Sequence, residues 1–246
     1  MAKSPGERAY EWCLWALLVI IGIVVVVPMI LPQGGSRESR HTRCLNNIRN
    51  IAMALHNYAS RFGTLPPAYI NDAQGRPMHS WRVLILPYLD RNDVYDMYRF
   101  DEPWNGPSNS KLHDVIVDVF RCPQDHGGPG SNQTSYVAVV GPDTIWPGSE
   151  GVRLDDVTDG LGATLFIVEI ADSGIHWMEP RDLQAAILPL SINPKSGKGI
   201  SSLHPGLACV ALADGRVRTL NDTLKPATLS ALLTIRGKEK INEFDY

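Results

Sequence analysis

A long apolar run lies near the start of the chain, and segments that mix apolar and polar residues follow it. Between Glu11 and Arg37 there are 25 residues without a charged side chain, and residues 12–31 are apolar apart from a glycine and a proline. A bilayer core of about 30 Å needs about 20 apolar helical residues, so residues 12–31 are predicted to form a transmembrane helix. Signal-peptide cores are shorter, about 7–15 residues, and no small-residue cleavage site follows the run, which favours a permanent anchor.

A second periodic segment follows a short linker rich in proline and glycine. Its apolar residues recur at alternating spacings of three and four, which places them on one face of a helix: Leu45, Ile48, Ala52, Leu55, Ala59 and Phe62. Gly63 supplies a carboxyl-terminal stop and Pro66 prevents continuation, so this helix is predicted to end near Phe62.

The middle of the chain predicts short elements. Trp81–Leu89 and Val94–Tyr98 are typical of short helical or irregular apolar pieces separated by polar residues. Three runs are rich in Val, Ile, Tyr and Phe and are predicted to be strands: Val115–Phe120, Tyr136–Val140 and Leu165–Ile170.

The clearest local motif is a predicted hairpin late in the chain. The strand-like runs Leu207–Ala213 and Arg216–Leu220 flank Asp214-Gly215, a pair that favours a two-residue type I′ turn. Pro226 then opens a helix, and Gly237 is placed to end it. An amphipathic helix packed on antiparallel strands predicts an α+β fold.

Five parts follow from these boundaries. They are an amino-terminal tail (1–11), the transmembrane helix (12–31), a linker (32–39), a folded domain (40–240) and a carboxyl-terminal tail (241–246).

The net charge of −3 and the absence of a basic run in the domain exclude a nucleic-acid footprint, so the lipid bilayer is the expected partner. Four arginines follow the span within 18 residues, and this count alone favours a cytoplasmic domain: Arg37, Arg40, Arg43 and Arg49.

The four cysteines divide between different environments. Cys13 lies in the predicted span and Cys209 in an apolar run, whereas Cys44 and Cys122 lie in the soluble part. Cys44 and Cys122 could pair in an oxidising compartment if their Cα atoms lie within about 7 Å, and otherwise remain free thiols. No two cysteines have CxxC spacing, so no structural zinc site is expected.

Several spaced motifs together resemble a known family. The matching segments are Cys44–Tyr58, Pro66–Tyr69, Ser80–Leu89, Phe100–Pro107, Phe120–Pro123, Tyr136–Pro142 and, at the end, His204 with nine residues before Asp214-Gly215. The chain resembles, over about residues 40–240, the prepilin-like domain of unknown function that carries the His-x9-Asp-Gly signature and is expanded in planctomycete bacteria.

The resemblance implies a type IV pilin-like plan, in which a hydrophobic amino-terminal helix leads into a longer helix packed on an antiparallel sheet. It also implies a domain outside the cytoplasmic membrane. We give this more weight than the arginine count, because the positive-inside rule is a statistical bias that individual proteins can break. One departure concerns processing. A prepilin signal carries uncharged residues after its glycine, whereas Gly6 is followed by Glu7 and Arg8. We therefore expect a retained single-span anchor and no filament assembly.

Candidate chemical groups are sparse. His204 and Asp214 lie at opposite ends of one predicted strand, about 30 Å apart at strand rise, so we expect a structural role for this signature. Asp155, Asp156 and Asp159 form a small acidic loop that offers calcium ligands, although its spacing differs from an EF-hand and a solvated turn is the stronger interpretation.

The remaining alternatives involve aromatic and metal-binding groups. Trp104, Trp146 and Trp177 would favour an extracytoplasmic module that binds a sugar or peptide if they converged on one open cleft, with Trp104 and Trp146 the better candidates for exposure. A metal-dependent hydrolase would need several of four groups to converge: His204, Asp159, Glu169 and His176.

No familiar catalytic motif is present. The sequence therefore predicts a single-pass protein of the cytoplasmic membrane, without catalysis or cofactor. Its domain is expected outside the membrane, in a structural, assembly or interaction role with envelope proteins or with itself.

Overall fold

The helix predicted from the apolar stripe is the first element of the folded region. In the computed structural model, which describes residues 15, 37–125, 132–239 and 246, helix α1 spans Arg37–Phe62. It ends as predicted, because Gly63 adopts a φ of +79° and its amide donates to the Ala59 carbonyl at 2.8 Å. The predicted end of this helix is thus confirmed.

The predicted transmembrane helix lies, apart from Trp15, outside the described residues. No described helix is long and apolar enough to cross a bilayer. Glu38–Tyr246 form one unit of the chain, and this unit contains every strand found among the described residues.

Eight short strands and three further helices follow α1 in the described residues. The strands are β1 (Tyr69–Asn71), β2 (Pro77–Ser80), β3 (Tyr136–Val137), β4 (Val139–Val140), β5 (Leu165–Glu169), β6 (Leu183–Gln184), β7 (Leu207–Leu212) and β8 (Val217–Asn221). The helices are α2 (Trp81–Leu84), α3 (Asn92–Tyr95) and α4 (Pro226–Leu233). Single 3-10 turns join them at Leu86–Leu89, Asn109–Leu112, Asp118–Phe120, Leu154–Asp156, Leu161–Ala163 and Ala185–Ile187.

The central sheet is antiparallel and has the order β3-β5-β7-β8. Strands β1 and β2 form a separate antiparallel hairpin, and β4 pairs in parallel with β6. Helices and an antiparallel sheet in one unit confirm the predicted α+β class.

Two strand predictions need correction, whereas the strand predicted at Leu165–Ile170 is confirmed as β5. Val115–Phe120 is not a strand and ends in the 3-10 turn Asp118–Phe120. Tyr136–Val140 is broken at Ala138, whose amide donates to Asp182 Oδ1 at 2.9 Å instead of to a neighbouring strand. The break lets β3 pair with β5 while β4 pairs with β6.

The hairpin of β7 and β8 is confirmed, but its turn type is not. Gly215 has a φ of +85°, whereas Asp214 does not have a positive φ. The Gly215 amide donates to the Leu212 carbonyl at 2.9 Å, and the Leu212 amide donates to the Arg216 carbonyl at 2.8 Å. This is a type I turn followed by a left-handed glycine, and the predicted type I′ turn is wrong.

Helix α4 also ends earlier than predicted. It stops at Leu233 instead of continuing towards Gly237, because Thr234 adopts an extended conformation. The next amide, that of Ile235, donates to the Asp143 carbonyl at 3.0 Å. A tertiary contact therefore ends this helix before the glycine.

Strand β7 is covered on both faces, since alternate residues of a strand point to opposite sides. Ala211 belongs to the same apolar cluster as Ile48 of α1. Val210 belongs to a second cluster with Leu229 of α4. The sheet therefore lies between a layer that contains α1 and a layer that contains α4.

A buried ion pair joins distant segments of this core. Arg82 Nη2 lies 2.5 Å from Asp182 Oδ1, and both side chains are at most 1% exposed. The same carboxylate oxygen accepts the Ala138 amide at 2.9 Å and the Trp81 indole N–H at 3.3 Å. Arg82 Nε donates to the Tyr136 carbonyl at 3.2 Å. The pair thus fixes α2, the break between β3 and β4, and the chain just before β6.

We expect Arg82→Met to lower the free energy of unfolding by about 3–5 kcal/mol, because it leaves the Asp182 carboxylate buried without its cation. Urea denaturation followed by circular dichroism measures this loss. Arg76→Met is the matched control, since Arg76 pairs with Asp72 at 2.7 Å but its side chain is 75% exposed. Equal effects of the two substitutions would show that burial does not govern this ion pair.

The hairpin turn allows a second test. Gly215→Ala should destabilise the protein by about 1–2 kcal/mol, because a Cβ disfavours the left-handed conformation. Crowding does not contribute, since an added Cβ would lie 3.6 Å from His56 Nε2, an ordinary contact. Gly215→Asn should lose less than Gly215→Ala, because asparagine tolerates a positive φ better. Thermal unfolding that ranked the two variants in the opposite order would contradict this account.

Candidate functional site

Two cysteines from distant parts of the chain meet beside the central sheet. The structure joins Cys44 to Cys122 in a disulfide, with a sequence separation of 78 and 5.2 Å between their Cα atoms. Cys44 lies in the second turn of α1, and Cys122 follows the 3-10 turn Asp118–Phe120. Asn47 of α1 also donates to the Arg121 carbonyl at 2.8 Å, which holds the two segments together.

His204 lies directly against this pair. Its Nε2 is 3.3 Å from Cys44 Sγ and 3.6 Å from Cys122 Sγ, and the residue is 3% exposed. The loop that carries it is fixed through Ser202, whose hydroxyl accepts the His204 amide at 2.9 Å and donates to the Leu207 carbonyl at 2.6 Å. The loop before β7 therefore places the imidazole at the sulfur atoms.

Glu169 is the fourth member of the cluster and the last residue of β5. It is 1% exposed, and its Oε2 accepts the Cys209 amide at 2.9 Å. Burial raises the pKa of this carboxyl to about 7, although the hydrogen bond from Cys209 acts in the opposite direction. Tyr136 faces Glu169 across the β3–β5 pair and donates its hydroxyl to the Cys44 carbonyl at 3.3 Å.

These four side chains form one compact group. A single ligand atom from each of Cys44, Cys122, Glu169 and His204 lies within 4.8 Å of the other three, and all four residues are buried. Within the described part of the chain, no other group of three or more His, Cys, Asp or Glu side chains meets this criterion. The group is therefore the strongest candidate functional site, and we call it the Cys-His-Glu cluster.

From the sequence, Cys44 and Cys122 were a possible disulfide or two free thiols, and Glu169 and His204 belonged to a separate hydrolase hypothesis. No sequence pattern predicted that all four side chains meet. Because β5 and β7 are antiparallel, the carboxyl end of β5 lies beside the amino end of β7. That pairing brings Glu169 near His204, and it could have been inferred once the two strands were known to be neighbours.

The signature residues His204 and Asp214 are not brought together by the structure. His204 precedes β7, whereas Asp214 lies in the turn after it. The Asp214 carboxylate accepts the Arg216 amide at 2.9 Å and pairs with Arg216 Nε at 2.5 Å. Asp214 thus serves the turn, and His204 serves the Cys-His-Glu cluster.

The acidic loop does not form a calcium cage in the structure. Asp159 accepts the amides of Gly237 at 2.6 Å and Lys238 at 2.8 Å, so its carboxylate ties down the segment after α4. Asp155 lies 3.5 Å from an Arg153 nitrogen, and its side chain is exposed. Asp155, Asp156 and Asp159 do not bring three ligand atoms together.

The three tryptophans do not line one open cleft. Trp146 and Trp177 are buried, and their indole N–H groups donate to the Phe166 carbonyl at 2.6 Å and the Val115 carbonyl at 3.0 Å. Trp146, one of the two better candidates for exposure, is therefore a core residue.

Trp104 is half-buried in a separate aromatic stack. Its ring stacks on His113 at 5.3 Å and on His176 at 5.6 Å, measured between ring centroids. His176 therefore lies in this stack and is not part of the Cys-His-Glu cluster.

An open groove of about 630 Å³ lies between α1 and the β7–β8 turn. Its lining includes the three arginines Arg49, Arg216 and Arg218, together with Asp214, which pairs with Arg216. His56 reaches into the same space, and its Nε2 is buried without a hydrogen-bond partner among the described residues. This basic groove contrasts with the net charge of −3 of the whole chain.

Comparison with known families gives one match, whose two segments cover residues 36–187 and 171–227. No curated protein and no solved structure matches the chain. The matched segments span the Cys-His-Glu cluster, the central sheet and the run from His204 to Asp214. Because they cover well over half of the 246 residues, the chain belongs to the family of proteins of unknown function designated DUF1559.

Proposed function

We propose that this protein is a single-span, pilin-like protein of the cell envelope whose domain has a non-catalytic structural, assembly or interaction role. In this proposal residues 12–31 anchor the chain in the cytoplasmic membrane, and the α+β domain lies outside it. The anchor is retained, because Glu7 and Arg8 occupy positions that a prepilin signal leaves uncharged.

The observation that carries the proposal is the contact between Cys44 and Cys122. A disulfide between these residues is stable in oxidising compartments and rare in the cytosol. Their Cα separation of 5.2 Å lies within the usual range for a disulfide. This pairing supports an extracytoplasmic domain, whereas the number of arginines after the span favours a cytoplasmic one.

The architecture supports the pilin-like part of the proposal. Helix α1 begins at Arg37, six residues after the end of the apolar run at Leu31, and its apolar face belongs to the core that also contains residues of the antiparallel sheet. An anchor followed by such a helix is the arrangement that the sequence resemblance implies. The DUF1559 match covers the same region without giving an activity.

The surface supports interaction as the role of the domain. All four side chains of the Cys-His-Glu cluster are buried. The groove beside α1 is open and basic, which suits contact with an acidic partner or a second copy of the chain. A tryptophan-based ligand platform receives no support, because Trp146 and Trp177 belong to the core.

Membrane attachment and sidedness are tested on full-length protein in cells. The protein should stay in the membrane fraction after alkaline carbonate extraction, because an apolar span of 20 residues remains in the bilayer. Ile187→Cys, at a position 82% exposed, should react in spheroplasts with a membrane-impermeant maleimide that adds a measurable mass.

The unsubstituted protein is the control for background labelling, and lysed cells give the maximum for the Ile187→Cys variant. Labelling only after lysis would place the domain in the cytoplasm and overturn the proposed sidedness. Release by carbonate would overturn the anchor.

A further inference from the structure

We propose that the Cys-His-Glu cluster is a zinc(II) site in the dithiol form of the protein. The four ligands are Cys44 Sγ, Cys122 Sγ, His204 Nε2 and one carboxylate oxygen of Glu169. This inference does not rest on the proposed function, because it follows from the geometry of the cluster on either side of a membrane.

The donor set matches the chemistry of zinc. Zinc(II) binds cysteine sulfur, histidine nitrogen and carboxylate oxygen, and its structural sites are tetrahedral with four protein ligands. Bond lengths of about 2.0–2.3 Å place tetrahedral ligand atoms roughly 3.3–3.8 Å apart. The four ligand atoms here already lie within 4.8 Å of one another, so small side-chain adjustments suffice.

The electrostatics of the cluster give independent support. Glu169 is 1% exposed, and it forms no ion pair with any residue in the described ranges 37–125 and 132–239. Burial disfavours the charged form of this carboxyl, and a bound metal ion would supply the positive charge that stabilises it. Two thiolates and one carboxylate around zinc(II) leave a net charge of −1, the same as in a Cys₃His site.

The surroundings hold the ligands in place as outer hydrogen bonds do in metal sites. The Cys209 amide fixes the Glu169 carboxylate, and Ser202 fixes the backbone of His204. The Tyr136 hydroxyl donates to the Cys44 carbonyl, which helps to hold this segment in place. Since four protein side chains fill a tetrahedral site and all are buried, the metal would stabilise the fold and leave no position for a substrate.

The zinc site and the disulfide exclude each other, because the sulfur atoms that bind zinc are thiolates. Zinc binding therefore requires the two-electron reduced protein, and it releases the thiol protons to solvent. In the test the reductant is a phosphine, which is oxidised to its oxide as the disulfide becomes two thiols, and one water molecule supplies the oxide oxygen and the two thiol protons.

The experiment uses full-length protein in detergent micelles. The protein is reduced with a phosphine, desalted without oxygen and titrated with cobalt(II), which reports thiolate ligation in its absorption spectrum. We expect one cobalt(II) per chain, a sulfur-to-cobalt charge-transfer band and the intense visible bands of tetrahedral cobalt(II). One equivalent of zinc(II) should displace the cobalt, and oxidised protein should show none of these bands.

Substitutions assign the ligands. Cys44→Ser and Cys122→Ser should each reduce the charge-transfer band. His204→Gln and Glu169→Gln should keep the band but weaken zinc binding by more than the roughly 10–100-fold that loss of an outer hydrogen bond costs. These two variants retain both cysteines, so they can be folded in the oxidised form and reduced afterwards.

His176→Gln is the matched control for His204→Gln, because His176 is a partly buried histidine that stacks on Trp104 and is not one of the four groups. It should leave the cobalt spectrum and the zinc affinity unchanged. Cys209→Ser should keep the charge-transfer band, because Cys209 is not one of the four groups. The proposal is overturned if reduced wild-type protein shows no charge-transfer band, or if Cys209→Ser removes the band as fully as Cys44→Ser. Neither result bears on the membrane anchor, which carbonate extraction tests separately.

Discussion

Burial of the central strands on both faces is the constraint on which the rest of this structure depends. Every residue of β5 is buried, and five of the six residues of β7 are buried. A polar side chain on such strands has no access to water, so it must find a partner inside the protein. Glu169 meets this condition at the end of β5 through the Cys209 amide and its position in the Cys-His-Glu cluster.

The same constraint explains how the core is organised around a second polar centre. Arg82 and Asp182 are both buried. The Asp182 carboxylate accepts a hydrogen bond from the Ala138 amide, which does not pair with a neighbouring strand. Buried ionisable groups therefore stabilise the fold in two places. The Arg82–Asp182 pair lies at the break between β3 and β4, and the Cys-His-Glu cluster lies where the end of β5 meets the start of β7. Each centre gathers segments that lie far apart in sequence, and neither is open to solvent.

Sequence patterns correctly predicted the helix and the hairpin that depend mainly on residues close together in the sequence. The stripe in α1, its stop at Gly63 and the hairpin at Gly215 follow from spacing and glycine chemistry, and they are confirmed. Val115–Phe120 has the composition of a strand, yet the chain turns there: the Phe120 amide donates to the Val117 carbonyl at 2.9 Å, and the Arg121 amide donates to the Asp118 carbonyl at 3.1 Å. The break at Ala138 depends on Asp182, 44 residues away, which no local pattern contains.

The site shows the same limit over longer distances. Cys44 and His204 are 160 residues apart, and the tertiary packing of α1 near the loop before β7 brings them into contact. Tryptophans near prolines and glycines indicated exposure, but Trp146 is covered by Trp81 and Phe166. Spacing rules such as CxxC detect ligands that are neighbours in sequence, and they do not detect a cluster assembled by tertiary contacts.

The position of Cys44 also has a mechanical consequence. The disulfide clips the second turn of α1 to the segment that ends at Cys122. A tensile load applied at the start of α1 would reach this covalent link before it reached the apolar contacts of Ile48 and Leu55. The disulfide therefore protects the part of α1 after Cys44 from being pulled away from the sheet. The folded domain would then withstand a load that non-covalent packing alone would not.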